Sequence, residues 1–195
     1  MNTNKMLPSD TFKDKTILIT GGGTGLGKSM AKHILELGGK IIITSRRNEV
    51  IEKTANEFNK LYPDSALHIA GDVRNIEDVE NVINTGFEKF GSIDMLINNA
   101  AGNFISPTER LSANAFSVII DIVLKGTCNY TLTIGKKWIE NKIEGTILNI
   151  ATTYAMTGSG YVIPSAAAKG GVLTLTRSIA AEWAKYNIRC NAIAP

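Results

Sequence analysis

The chain has 195 residues, 44% of them hydrophobic and 20% charged, which suits one large soluble domain with a proper core rather than two domains. Its net charge is only +3, and the basic pairs Arg46-Arg47 and Lys136-Lys137 are isolated, so nucleic acid is not an expected partner and a small anionic ligand fits better. Cys128 and Cys190 have no CxxC or Cys/His company, which argues against zinc and against a disulfide, and for two reduced core thiols.

From the start of the chain, Met1-Asn2-Thr3-Asn4-Lys5 lacks the apolar stretch of a signal peptide and is too short for an Arg-rich transit peptide. The expected location is the cytoplasm, or the mitochondrion for a eukaryotic protein lacking its presequence. Short apolar runs follow at 16–20, 40–45, 66–70, 93–98, 146–150 and 188–194, the pattern of strands buried on both faces of a parallel sheet. Between them, stretches such as 26–37, 49–61 and 76–90 carry apolar residues at helical spacing, for example Val79, Val82, Ile83 and Phe87. This alternation predicts right-handed βαβ units and hence a single-domain, doubly wound, Rossmann-type α/β fold. No apolar run approaches the length of a membrane span, so no membrane partner is expected. Trp138 and Trp183 fall on expected helices and read as packing. The chain stops at Asn191-Ala192-Ile193-Ala194-Pro195, straight after a strand-like run, which predicts a fragment truncated after the sixth strand.

The first strand leads into Thr20-Gly21-Gly22-Gly23-Thr24-Gly25-Leu26-Gly27 and then a helix. Gly21 allows the tight turn, Gly25 lets backbone approach a pyrophosphate, and Gly27 lets helix pack on strand, with the helix N-terminus offering N–H groups to the anion. Residues 21–27 are therefore the expected dinucleotide cradle: Gly21, Gly22, Gly23, Thr24, Gly25, Leu26 and Gly27.

The Gly-x-x-x-Gly-x-Gly spacing, Asp72-Val73 after the third strand and Asn98-Asn99-Ala100-Ala101-Gly102 after the fourth resemble the short-chain dehydrogenase/reductase family over nearly the whole chain, from about Thr16 to Pro195. The resemblance implies that Asp72 holds the adenine ring and that Asn99 supports sheet and cofactor. At the end of the second strand an NAD enzyme typically places a carboxylate. Here stands Thr44-Ser45-Arg46-Arg47, and the Arg46 guanidinium suits a 2′-phosphate, which favours NADPH. The ordinary alternative, two solvated arginines, stays open at this point.

The family's catalytic pattern is Asn, Ser, Tyr and Lys. Its Tyr slot, four residues before Lys169, holds Ser165, its Ser slot holds Thr152, and its Asn slot, in a long fourth helix, holds Val123. Only Lys169 is retained, while the cofactor motifs are intact. The stretch 98–112, the segment Asp121-Ile122-Val123-Leu124 and the span from Tyr154 to Lys169 resemble the 2,4-dienoyl-CoA reductase branch. That resemblance implies Tyr154 as the catalytic Tyr, fifteen residues before the Lys, with Asn103 assisting. A dienoyl thioester takes hydride at C5, so negative charge develops on the distant thioester oxygen, and donors placed away from the nicotinamide form an oxyanion hole for it. Protonation at C2 then gives a trans-3-enoyl-CoA, a step in unsaturated fatty acid β-oxidation.

Lys169 is implied to bind the nicotinamide ribose and favour hydride transfer. Ser165, one helical turn away, either orients Lys169, contacts substrate or clears space for the acyl chain. Arg74, Phe104 and Ser112 match positions that bind the acyl-CoA substrate, with solvated arginine and core packing as ordinary alternatives for the first two. The family implies a homotetramer. A 3-oxoacyl or other carbonyl reductase would need Tyr at 165, and a non-catalytic NADPH-binding protein remains the reading from another class.

Overall fold

The computed structural model describes residues 7–195, so the expectation of no leader, which rests on residues 1–5, lies outside the described residues. Six strands form one all-parallel sheet: β1 Thr16–Thr20, β2 Lys40–Ser45, β3 Ala66–Ala70, β4 Met95–Asn98, β5 Gly145–Ile150 and β6 Ile188–Ile193, in the order β3-β2-β1-β4-β5-β6. The helices between them are α1 Gly25–Glu36, α2 Asn48–Leu61, α3 Ile76–Phe90, α4 Ala113–Ile120, α5 Gly126–Asn141, the four-residue α6 Tyr154–Thr157 and α7 Ile163–Trp183. The doubly wound α/β fold is as expected.

Alternate residues of each strand point to opposite faces, and both faces are covered. Leu18, Ile42, Leu96 and Ile147 pack with Val79, Val82 and Ile83 of α3, Tyr130, Ile134 and Trp138 of α5, and Ile179 and Trp183 of α7. Ile17, Ile19, Ile41 and Ile43 pack on the other side with Ala31, Ile34 and Leu35 of α1 and Ile51, Ala55 and Phe58 of α2. This two-sided burial is why the strands read as continuous apolar runs rather than as alternation. Both tryptophans are packing residues, and the buried Trp138 Nε1 donates to the Ile93 carbonyl at 2.6 Å.

Local chemistry fixes the ends. Asn75 caps α3, its Oδ1 accepting from the N–H groups of Glu77 and Asp78, and Gly91 ends the helix at φ 78°. The fourth strand begins at Met95 rather than 93, and just ahead of it the Asp94 carboxylate accepts from the Thr16 N–H and from Lys15.

Two expectations are corrected. The long fourth helix is interrupted by a π turn at Asp121–Lys125, which joins α4 to α5. The joined helix, Ala113–Asn141, spans 29 residues and contains a window of mean hydropathy 1.2, so one segment is long and apolar enough to cross a membrane by length and composition alone. It is nevertheless built into this domain. The α5 part packs on α3, β4 and β5, and α4 and the π turn pack on α7, with Val123 buried against Ala168 and Val172. The cysteines are free thiols, Cys190 buried and Cys128 half-buried.

Candidate active site

β1 pairs with β2 on one side and β4 on the other, so the chain leaves the sheet in opposite directions beside the carboxyl end of β1. Such a switch point opens a crevice in doubly wound sheets. Here the crevice is a cleft of about 380 Å³ lined by the glycine loop, Ser45, Arg46, Arg47, Asp72, Asn99 and Ile122 among others.

The glycine loop is held from behind. The Thr20 hydroxyl accepts from the N–H groups of Asn99 and Ala100, both at 3.0 Å. Asn99 Nδ2 returns bonds to the carbonyls of Thr20 and Gly21 at 3.0 and 3.2 Å. Gly27 is tied to this clamp: a Cβ there would stand 2.3 Å from the Gly21 oxygen and 2.7 Å from Asn99 Nδ2. Gly25 is the opposite case, at φ 52° with open space before it. The N-terminus of α1 has no side-chain cap on its N–H groups and no acidic residue in its first turn. Free amides, a positive helix end and a glycine facing open space fit a dinucleotide pyrophosphate. Arg46 and Arg47, at the end of β2, put guanidinium charge on the same cleft with no carboxylate beside them on that strand. Sequence reasoning weighed both arginines and carried only Arg46 forward as a site residue, whereas both line the cleft. It missed Thr20, whose signal was a Thr ahead of three glycines.

Asp72 lines the cleft as well, but its carboxylate is engaged. Arg74 donates through Nε to Oδ1 and Oδ2 at 3.0 and 3.1 Å, and through Nη2 to Oδ2 at 2.6 Å. That bond first, and the charges of Arg74 and Arg46 with it, hold the Asp72 carboxyl below the usual carboxylate range.

The second half of the site lies between the β5 end and α7. Lys169 is buried, its Nζ donating to the Ile150 carbonyl at the end of β5. Burial without a carboxylate partner pushes its amine down to about 8. Ser165 sits one turn earlier on α7, 2% exposed. Its Oγ lies 2.9 Å from the hydroxyl of Tyr154, at the start of α6. None of the three roles read from sequence for Ser165 was this one. Its hydroxyl meets Tyr154, not Lys169.

Thr152 Oγ1 is buried without a hydrogen-bond partner. Asn103 stands in the exposed segment after β4 with its Oδ1 accepting from the Phe104 N–H, and among the described residues no side-chain bond joins it to Tyr154. Phe104 is 47% exposed, and Ser112 caps α4, its Oγ accepting from the Ala115 N–H at 3.1 Å. The segments carrying Asn103 and Tyr154 are linked where the Ser106 N–H donates to the Tyr161 carbonyl at 3.0 Å. Phe104, Ile105, Met156 and Tyr161 make the exposed apolar side chains of these two segments.

A doubly wound sheet with this glycine loop, basic cleft and buried Lys defines a dinucleotide-binding domain of the oxidoreductase type. The family model for short chain dehydrogenases matches residues 15–195, and the chain belongs to that family, whose members use nicotinamide cofactors. A Bacillus subtilis protein named as a probable 2,4-dienoyl-CoA reductase, (2E)-enoyl-CoA-producing, is 45% identical over 185 residues, covering 94% of this chain and 72% of its own length. A Caenorhabditis elegans protein named as a probable 2,4-dienoyl-CoA reductase, (3E)-enoyl-CoA-producing, is 43% identical over 191 residues, covering 97% and 62%. The crystal structure of a short chain dehydrogenase from Bacillus anthracis matches with a TM-score of 0.90 at 48% identity, covering 93% of this chain and 73% of that one. The chain spans about three fifths of the length of its Caenorhabditis elegans relatives, one of which is an uncharacterized oxidoreductase.

Proposed function

We propose that the whole protein reduces 2,4-dienoyl-CoA thioesters with NADPH, giving trans-3-enoyl thioesters. The observation that carries this reading is the Tyr154–Ser165 pair beside Lys169: a phenol hydrogen-bonded to the residue that occupies the expected Tyr position. Residues 21–27, Asn99, Asp72, Arg46 and Lys169 would hold the dinucleotide, and the free amides and open glycine of the cradle support that assignment. When bound, the nicotinamide supplies a hydride to the far end of the conjugated system.

Tyr154 donates its O–H to the thioester oxygen, where charge collects, and Asn103 is the second donor through its Nδ2, its Oδ1 accepting from the Phe104 N–H. Ser165 orients the Tyr154 hydroxyl. Lys169 keeps a positive charge near the cofactor ribose. Tyr154, or a water it holds, returns a proton at C2. The names of the relatives divide between (2E) and (3E) products. Donors at the thioester end favour C2 protonation and therefore the 3-enoyl product. Phe104 and Ser112 are the further acyl-CoA contacts, with Arg74 on the CoA phosphate. The apolar side chains of the 103–106 and 156–161 segments suit an acyl chain. The expected assembly is a homotetramer, and the expected compartment is the cytoplasm in a bacterial source.

The test is consumption of NADPH with 2,4-hexadienoyl-CoA. Tyr154→Phe removes an oxyanion donor, an effect of about 2.7–4 kcal/mol, so kcat falls roughly 10²–10³-fold. Reduction of acetoacetyl-CoA instead, with Tyr154→Phe unaffected, refutes the proposal in favour of a carbonyl reductase.

A further inference from the structure

We propose that Arg74 is a positioning residue for the adenine end of the dinucleotide: its guanidinium sets the orientation in which the Asp72 carboxylate accepts from the exocyclic amine of adenine. This rests on the dinucleotide reading above and gives Arg74 work in the absence of any acyl-CoA.

The argument starts from the contacts of residue 72. Asp72 lines the cleft and Arg74 does not. Three N–H groups of residue 74 converge on the carboxylate: the backbone N–H on Oδ1 at 3.0 Å, Nε on both oxygens, and Nη2 on Oδ2 at 2.6 Å. A carboxylate offers about four lone-pair sites. Nε shares its single hydrogen between the two oxygens, so three hydrogens hold the carboxylate plane in one orientation and leave its lone pairs only partly used, on a residue that lines the cleft. With the Arg74 bonds in place the carboxyl also stays ionised, since they hold it below the usual range.

The backbone of the segment is secured without the guanidinium. The Asp72 N–H donates to Asp78 Oδ2 at 2.8 Å, and Asn129 Nδ2 donates to the Val73 carbonyl at 2.9 Å. Removal of the guanidinium leaves only the backbone N–H of residue 74 on Oδ1, so the carboxylate can turn about that one bond while the chain stays in place. Arg74 also keeps three of its five N–H groups unused by Asp72, so a CoA phosphate on its outer edge is compatible with this role.

The experiment measures binding of NADPH, and of its analogue with hypoxanthine in place of adenine, to the whole protein without acyl-CoA. The analogue lacks the exocyclic amine. The unsubstituted protein is expected to bind NADPH about tenfold more tightly than the analogue, the scale of one hydrogen bond to a charged group. Arg74→Met is expected to weaken NADPH about tenfold and leave the analogue unchanged. Arg74→Lys, which keeps the charge and loses the fork, is expected to fall between them and guards against misfolding of the Met variant. Equal loss of both ligands in Arg74→Met, or no loss of either, overturns the proposal. Failure of the unsubstituted protein to distinguish the two ligands overturns it while leaving the dinucleotide reading intact. Failure to bind any dinucleotide overturns both.

Discussion

Ser165→Ala tests whether Ser165 acts through Tyr154. The substitution removes only a hydroxyl from a site 2% exposed, and that hydroxyl's recorded partner is the Tyr154 phenol at 2.9 Å. Tyr154 is half-buried, so water can replace the lost partner and folding stability should change by less than about 1 kcal/mol. What is lost is orientation. A neutral hydrogen bond contributes about 0.5–1.5 kcal/mol net, so kcat with 2,4-hexadienoyl-CoA should fall roughly 2- to 12-fold. The discriminating measurement is a double-mutant cycle with Tyr154→Phe. If Ser165 serves only to hold the phenol, then Ser165→Ala changes nothing in the Tyr154→Phe background. A full, additive loss in that background would show that Ser165 contacts substrate or Lys169 directly, and the reasoning would fail.

Three further perturbations follow from the site's geometry. Gly27→Ala drives a Cβ to 2.3 Å from the Gly21 oxygen, an overpacking cost of about 1–3 kcal/mol that urea denaturation should register. Gly25→Ala meets no atom within 4 Å; its cost is the left-handed backbone, about 1–2 kcal/mol, while NADPH affinity, measured by fluorescence titration, should fall at least tenfold because, on the proposed reading, the methyl would stand where the pyrophosphate binds. Lys169→Met should lose activity yet gain stability. Burial lowers the folded-state amine to about 8 from the usual 10.5 of a lysine. Below pH 8 both states are protonated and the folded state bears the full cost of a buried cation, about 3 kcal/mol at most. Between about 8 and 10.5 the unfolded chain holds a proton that the folded one has released, so stability rises with pH and the advantage of Lys169→Met shrinks. An advantage that does not vary across that window, followed by denaturant unfolding, contradicts the assignment.

Much of the fold was legible because burial on both faces writes itself as continuous apolar runs, whereas the cap and stop of α3, Asn75 and Gly91, were not singled out from the sequence. The π turn at Asp121–Lys125 was not legible. Val123 of that turn packs against Ala168 and Val172 of α7, a contact far apart in sequence, and no residue in that stretch announces a break. The glycine cradle was legible as a motif, whereas its clamp was only half so: Asn99 stood in a recognisable run, but Thr20 earns its role through two bonds to residues about eighty positions away. Tyr154 and Ser165 could each be singled out from sequence. Their contact could not, because it depends on the turn between α6 and α7 bringing residues eleven apart into register.

The contact explains why the two positions belong together. The cofactor half of the site is built on strand ends and buried side chains. Asn103 and the apolar residues around Tyr154 ride on exposed segments, and Tyr154 itself begins a helix of only four residues. So short a helix cannot fix a side chain by its own hydrogen bonds. Ser165 can, because α7 is long and buried at that face, with Lys169 one turn on. A phenol at 165 would project into the volume that the Tyr154 hydroxyl now occupies, 2.9 Å from Ser165 Oγ. The small residue at 165 and the Tyr at 154 are therefore one structural choice: on the proposed reading, a proton donor held by the rigid helix, yet displaced from the position beside Lys169 toward the end of the substrate where charge would form.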